Sequence, residues 1–316
     1  EDEYGTTPTN PGGYPCPLGH YCPASSSAGT PCPPSTFNPS FAATSTADCL
    51  YCTPGSFCAT YGLPAPTGPC AAGYVCPLGS ATATPSSTSL TSGYAPPDGL
   101  TIGGYQAPQG TYSLNGSHVE TACDAGTYQP NAGNDFCHTT PPGYYTPTSS
   151  VSYVSYEGSP GYYYPAGTKY RTEFPCPPGT YSNKTGNQDI ADCQPAPPGY
   201  YSEGPHNTEP TGMCAEGFFC LSASFSATPA CVPVAFDPVT NVTTCDTGGP
   251  CVASQYCPVG SSYAQPCPGG HYCADSSGKI TGETYAGFFG AYSMSSPAPY
   301  GVYVASERLP FLPLPR

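Results

Sequence analysis

Residues 176–202 read CPPGTYSNKTGNQDIADCQPAPPGYYS. A cysteine is followed by a Pro-Pro-Gly turn, a threonine and a tyrosine, and a loop then closes on a second cysteine. Three residues later the same turn returns as APPGYYS, with alanine and serine where cysteines would stand. Proline before the turn presets φ, and glycine takes a positive φ that other residues resist.

Aligned on the glycine of this turn, the chain repeats from end to end. Gly19, Gly55, Gly73, Gly143, Gly161, Gly199, Gly217, Gly270 and Gly287 lie near multiples of 18 residues apart. Ser35, Gly93, Gly110, Gly126, Gly179, Val234, Ser254 and Gly301 fill the gaps, giving 17 units spaced 14 to 20 residues apart. Tyr or Phe stands two positions after the anchor in 15 of the 17. A unit this short cannot bury a face alone, so stacking on neighbours must stabilise it, with the aromatic laid against the adjoining unit. Proline and glycine interrupt every run that would make a long helix, leaving short hairpins.

Composition points the same way. Pro and Gly together make 44 + 38 = 82 of the 316 residues, Trp is absent, and 20 Cys and 28 Tyr stand in for a branched aliphatic core. An even cysteine count in such a chain reads as a disulfide framework built in an oxidising compartment. Six Lys and Arg against 20 Asp and Glu give a formal charge of −14, which leaves no basic patch for nucleic acid or anionic lipid. No apolar window is long enough to span a membrane. The opening residue, Glu1, suggests a mature chain or part of a longer one.

The cysteines keep the same frame, with the anchor as position zero. Cysteine at −3 occurs ten times, and in six units a second follows at +3. Lone thiols are a liability in an oxidising compartment, so bridge partners should be lost together, and no unit keeps the +3 cysteine without the −3 one. This selects tight bridges Cys16–Cys22, Cys52–Cys58, Cys70–Cys76, Cys214–Cys220, Cys251–Cys257 and Cys267–Cys273. It selects wide ones Cys32–Cys49, Cys123–Cys137, Cys176–Cys193 and Cys231–Cys245. Sequence leaves crossed pairs such as Cys22–Cys32 open. Units without cysteine (Thr140/Thr146, Gly158/Tyr164, Ala196/Ser202) need something in place of the bridge, and contact with other subunits or with neighbours is the expectation.

CPPGTYSNKTGNQDIADC and the Cys32–Cys58 segment resemble the ephrin-receptor-like cysteine-rich repeat, within the growth-factor-receptor and TNF-receptor cysteine-rich type. Cys176, Gly179, Tyr181 and Cys193 carry the likeness, as do Cys32, Phe37, Cys49, Cys52 and Cys58. The resemblance implies an extracellular, elongated, bridge-dependent module of receptors, adhesion proteins and matrix.

Other chemistry finds little footing. The recurrent spacing is C-x5-C, and the lone C-x-x-C, Cys49–Cys52, has no second pair, so no metal site is expected. No nucleophile elbow, phosphate loop or general-base constellation appears, so neither an enzyme nor a cofactor is expected. N-glycan acceptors occur at Asn115, Asn183 and Asn241, expected on the longer loops of the units anchored at Gly110, Gly179 and Val234. Ser80–Ser92 suits either O-glycans or a flexible polar segment. The expected organisation is a repeat array over 1–299 and an extended, Pro-spaced apolar tail over 300–316. Within the tail, Leu309, Phe311, Leu312 and Leu314 are candidate assembly contacts. The expected fold is small and disulfide-rich, an elongated rod of stacked turn and hairpin repeats with almost no helix. The expected function is a structural extracellular glycoprotein that associates with itself as a surface filament or matrix appendage. A ligand-binding or adhesion receptor ectodomain and a tyrosine-crosslinked wall protein are the alternatives.

Overall fold

The Pro-Pro-Gly turn sets the local structure. In Cys176–Ser182, Thr180 N–H donates to Pro177 O at 3.1 Å and Gly179 sits at φ 84°. Proline second and a left-handed residue third is the pattern of a type II turn. The turn aims Thr180–Tyr181 into an antiparallel pair with Gln194–Pro195. Two-residue strands of this kind recur throughout the computed structural model, which describes residues 13–86, 103–237, 242–274 and 277–283 and the strands Val302–Tyr303 and Leu312–Pro313. Among these residues the strands form thirteen two-stranded antiparallel sheets. Among them helix is confined to the 3-10 turns Thr46–Asp48 and Ile190–Asp192.

The chain divides into two compact units. The first comprises Glu1–Thr140 with Thr146–Tyr156, the second Pro141–Tyr145 with Glu157–Arg316. One hydrogen-bond rule runs through each. In the first unit the anchor N–H donates to the +3 carbonyl of the next repeat: Gly19 to Asn38, Ser35 to Cys58, Gly55 to Cys76, Gly73 to Ser113, Gly110 to Gln129, Gly126 to Thr146. The second unit repeats it: Gly143 to Tyr164, Gly161 to Ser182, Gly179 to Ser202, Gly199 to Cys220, Gly217 to Cys257, Ser254 to Cys273. Each anchor carbonyl in turn accepts from the next repeat's −3 amide, as Gly179 O does from Ala196 N–H at 2.8 Å. Buried backbone groups must be paired, and this ladder pairs them without long strands.

The ladder corrects the count of 17 units. It steps from Gly73 to the repeat of Gly110 and from Gly217 to that of Ser254. Val234 is therefore not a turn anchor; it lies in the strand Pro233–Asp237, paired with Val242–Cys245 as a hairpin inserted between two repeats. A β-branched residue resists the positive φ that an anchor needs. Gly93, Gly287 and Gly301 lie outside the described residues. Where an insertion leaves the ladder, the flanking strands lengthen: Tyr74–Leu78 faces Gly103–Gln106, and Phe218–Cys220 faces Gly248–Pro250.

A second left-handed residue follows six to eight positions after each described anchor, as at Gly62, Gly116, Gly133, Gly186, His206 and Gly260. Its carbonyl packs on the anchor glycine two repeats earlier, Gly260 on Gly199 and Gly186 on Gly143. The aromatics at +2 differ among repeats: Tyr145 lies against Tyr164 of the next repeat as expected, with ring centroids 6.1 Å apart, whereas others turn inward. Phe57, Tyr201 and Tyr272 lie over Gly68, Gly212 and Gly282 on the facing strand of their own hairpin. A glycine opposite a ring lets the ring cover backbone within the repeat, so less of it is left for the neighbour.

Acidic residues organise the wide loops. The Asp192 carboxylate accepts from Gln188 N–H at 2.7 Å and Asp189 N–H at 3.1 Å, fixing the turn before Cys193. The Asp189 and Gln188 amides hold its carboxyl below the usual aspartate range. A carboxyl lowered on folding stabilises above its unfolded pKa, and the contribution disappears as pH falls through the folded value. In NMR titration, the Gln188 and Asp189 amide shifts should move together with a midpoint below that of a free aspartate. In Asp192→Asn that shared transition should be absent.

Two short strands are described in the apolar tail. Val302–Tyr303 pairs with Leu312–Pro313, so the chain turns back on itself there. Satisfying a strand edge with a nearby segment costs only a short loop closure. Leu312 lies in this pair, whereas Leu309, Phe311 and Leu314 fall outside the described residues.

Candidate functional site

The feature with chemistry in it is the column of −3 and +3 positions. The short turn folds these two residues towards one another, and the ladder then covers them with the next repeat. Most are fully buried, including Cys52, Cys58, Cys70, Cys76, Cys214 and Cys220 at 0% exposure. With so little aliphatic side chain available, this column serves as the core. One apolar cluster in it joins Phe37 to Cys52 and Cys58, flanked by Leu63.

Ten disulfides occupy the column or brace it, and no cysteine is free. Six join residues six apart: Cys16–Cys22, Cys52–Cys58, Cys70–Cys76, Cys214–Cys220, Cys251–Cys257 and Cys267–Cys273. Four are wider: Cys32–Cys49, Cys123–Cys137, Cys176–Cys193 and Cys231–Cys245. These are the pairs that joint loss of partners selects, with none crossed. Three wide repeats place a buried polar residue at +3 instead of cysteine. Asn38 donates to His20 O, Gln129 donates to Phe136 O, and the Ser182 hydroxyl accepts from Asn187.

The repeats without cysteine fill the column from within. Thr140 and Thr146 are both buried and hydrogen-bond Oγ1 to Oγ1 where a disulfide would lie. Tyr164 is fully buried and lays its ring over Gly158, whose missing side chain makes the room. Its hydroxyl accepts from Ser159 N–H and donates to Arg171 O at 2.7 Å. Burial pushes this phenol above the usual tyrosine value. Ala196 and Ser202 fill the third position, leaving Ser202 Oγ buried without a hydrogen-bond partner. In these repeats the place of the bridge is thus filled by side chains of the chain itself.

No protein-family model matches this chain, and no curated protein sequence matches it.

The remaining positions divide by exposure. Asn115 and Asn183 are exposed on the loops after their strands, open to modification. Asn115 belongs to the cysteine-free repeat of Gly110, with Ala107 and Ser113 in the column, rather than to a repeat closed by a wide bridge. Asn241 lies outside the described residues. Tyr105 donates to Glu120 at 2.6 Å, and burial together with that carboxylate pushes its phenol up to about 12. Among the described residues no group of three or more His, Cys, Asp or Glu side chains is placed to hold a metal ion. No helix among them is long and apolar enough to cross a membrane. The sequence reading missed the second left-handed position, although glycines at 62, 79, 116, 133, 186 and 260 mark it.

Column geometry allows bridges to be restored. By the loop-entropy relation, closing the short turn at 196 and 202 stabilises by about 2 kcal/mol. Replacing an unsatisfied buried hydroxyl adds roughly 1–3 kcal/mol. Ala196→Cys with Ser202→Cys should therefore raise thermal stability more than Thr140→Cys with Thr146→Cys, which sacrifices an existing hydrogen bond. Calorimetry of the two oxidised variants checks the order.

Proposed function

We propose that this chain is a structural extracellular glycoprotein, a self-associating subunit of a surface filament or matrix appendage. The observation that carries this reading is the repeat junction. Consecutive repeats dock through the same backbone groups at each step of the ladder, Gly55 on Cys76 as Gly199 on Cys220. A chain built this way gains stability by adding units in one direction, and it devotes its buried positions to bridges rather than to a ligand cavity. In this reading the repeats form an extended, stiff rod. Disulfides resist unfolding under load, and glycans at Asn115, Asn183 and Asn241 coat the outside. An acidic surface with few cations keeps rods from clumping at random while specific contacts join them. The ephrin-receptor-like resemblance agrees with an extracellular module of this kind.

Electron microscopy of native material tests the proposal. Regular polymers that dissociate or soften under thiol reductant are expected. Monomers or dimers tethered to a membrane would replace this reading with that of a receptor ectodomain.

A further inference from the structure

Residues 32–128 and 176–272 align without a gap at a constant offset of 144. Cys32 falls on Cys176, Gly55 on Gly199, Cys70 on Cys214, and Ala83-Thr84-Pro85 on Ala227-Thr228-Pro229. The structure repeats with the sequence. Ala71 N–H donates to Ala83 O at 2.9 Å, as Ala215 N–H does to Ala227 O at 2.9 Å. The Ser80 and Ser224 hydroxyls likewise donate to Thr82 O and Ser226 O. A self-similarity this regular marks a tandem duplication. The disulfides respect it: five lie wholly within residues 16–137 and five within 176–273, and none joins the two sets.

Between Cys137 and Cys176 stand two consecutive repeats without a bridge, those of Gly143 and Gly161. The hairpin tip of the second reads Lys169-Tyr170-Arg171-Thr172-Glu173, and all five residues are exposed. Only six Lys and Arg occur in the chain, and two of them lie here, two residues apart. Few bonds hold the tip. The Glu173 carboxylate accepts from Lys169 N–H at 2.7 Å and Tyr170 N–H at 3.3 Å. The Tyr164 hydroxyl donates to Arg171 O at 2.7 Å, and Arg171 Nε donates to Ser159 Oγ at 2.7 Å. Thr172 N–H has no hydrogen-bond partner among the described residues. The ladder bonds lie at the base of the hairpin, from Tyr163 N–H to Phe174 O at 3.0 Å and from Cys176 N–H to Gly161 O at 2.9 Å. The tip can therefore open while the ladder step stays closed.

We propose that this tip is a processing site, where a serine endoprotease specific for basic residues hydrolyses the Arg171–Thr172 bond. Water adds to the Arg171 carbonyl carbon and the C–N bond breaks, leaving a carboxylate on Arg171 and an ammonium on Thr172. Exposed, weakly held loop tips are where chains are nicked. Lys184 is exposed too, but it lies inside the Cys176–Cys193 loop, where a cut leaves the pieces joined. Its amide and carbonyl are also engaged, by Ser182 Oγ and Asn187 Nδ2. Lys279 is paired with Glu216 at 2.6 Å. A cut after Arg171 differs in kind. It leaves two chains, each with its own five bridges, held together by ladder bonds such as Gly161 N–H to Ser182 O at 2.8 Å. One covalent link is thereby exchanged for hydrogen bonds that can be pulled apart without reduction. Such a release point suits a filament subunit and a receptor ectodomain alike.

Brief trypsin treatment of the native, oxidised full chain tests the site. A new amino terminus at Thr172 should appear at least about tenfold faster than one at Thr185, because cleavage follows the population of the opened loop. In denaturant without reductant the cut chain should part into two pieces. Lys169→Gln with Arg171→Gln should keep the two halves joined under the same treatment while every disulfide still forms. Protein from its native source, never exposed to trypsin, should already contain chains that begin at Thr172. Cleavage after Lys184 ahead of Arg171, or pieces that part only on reduction, would overturn the site. Native material in which every chain is intact across Arg171–Thr172 would overturn its use in processing, and either result would leave the filament reading untouched.

Discussion

Gly199→Ala should lower the melting temperature of the second unit by about 10 °C, corresponding to about 3 kcal/mol in a unit of this size. Two costs combine. Gly199 sits at φ 85°, where an L side chain costs roughly 1–2 kcal/mol. A methyl there would also stand 2.5 Å from Gly260 O, a backbone atom whose residue is held by its amide's bond to Cys214 O and cannot swing away. Overpacking of this kind costs roughly 1–3 kcal/mol. Gly204→Ala in the same repeat separates the two terms. It has φ 71° but nothing within 4 Å of a new methyl, so it should cost only about 1 kcal/mol. Ser35 and Ser254 already occupy anchors at φ 77° and 72°, which shows the φ cost alone to be tolerable. Equal melting shifts for the two alanine variants would remove the contact two repeats ahead from the account.

That contact marks the boundary of what the sequence carries. Local rules were legible because they act within one repeat: the Pro-Pro-Gly turn, the −3/+3 frame and the joint loss of bridge partners all involve residues at most 17 apart. Which repeat touches which was not legible. Gly199 meets Gly260, two ladder steps on, because of how two left-handed turns aim the backbone, and no side chain advertises that pairing. Val234 misled for a different reason. Phe236 kept the aromatic at its expected place, yet valine at the anchor was a warning, since a β-branched residue cannot make the turn. Thr140 and Thr146 read as a lost bridge, although two buried hydroxyls six residues apart satisfy one another at the same separation. Gly158 and Tyr164 likewise read as a lost bridge, but that the ring fills the room left by Gly158 was not legible.

Tyr164→Ala should be among the most damaging side-chain changes in the described residues. Its ring is fully buried, and no neighbour can collapse into the space because the facing residue is Gly158. Emptying such a site costs roughly 3–5 kcal/mol. The Ser159 amide and the Arg171 carbonyl also lose their partner, and the ring of Tyr145, 6.1 Å away between centroids, loses its stacking surface. Tyr164→Phe keeps the ring and should cost only about 1–2 kcal/mol, the worth of the hydroxyl's bonds. The ionisation of this phenol adds a pH signature. Its pKa is raised by burial, so its contribution is complete below the ordinary value of 10.0 and is lost as pH rises through the raised one. Alkaline melting of the parent chain should therefore be steeper than that of Tyr164→Phe. The decisive variant is Gly158→Cys with Tyr164→Cys, which restores the column's usual occupant. If −3 and +3 are one structural slot, the double cysteine should form its bridge and recover at least about half of the stability lost in Tyr164→Ala, since a short-loop bridge contributes about 2 kcal/mol. A double variant that stays reduced, or is no more stable than Tyr164→Ala, would mean that the repeat of Gly161 is built around its ring and is not a cysteine repeat with the bridge exchanged.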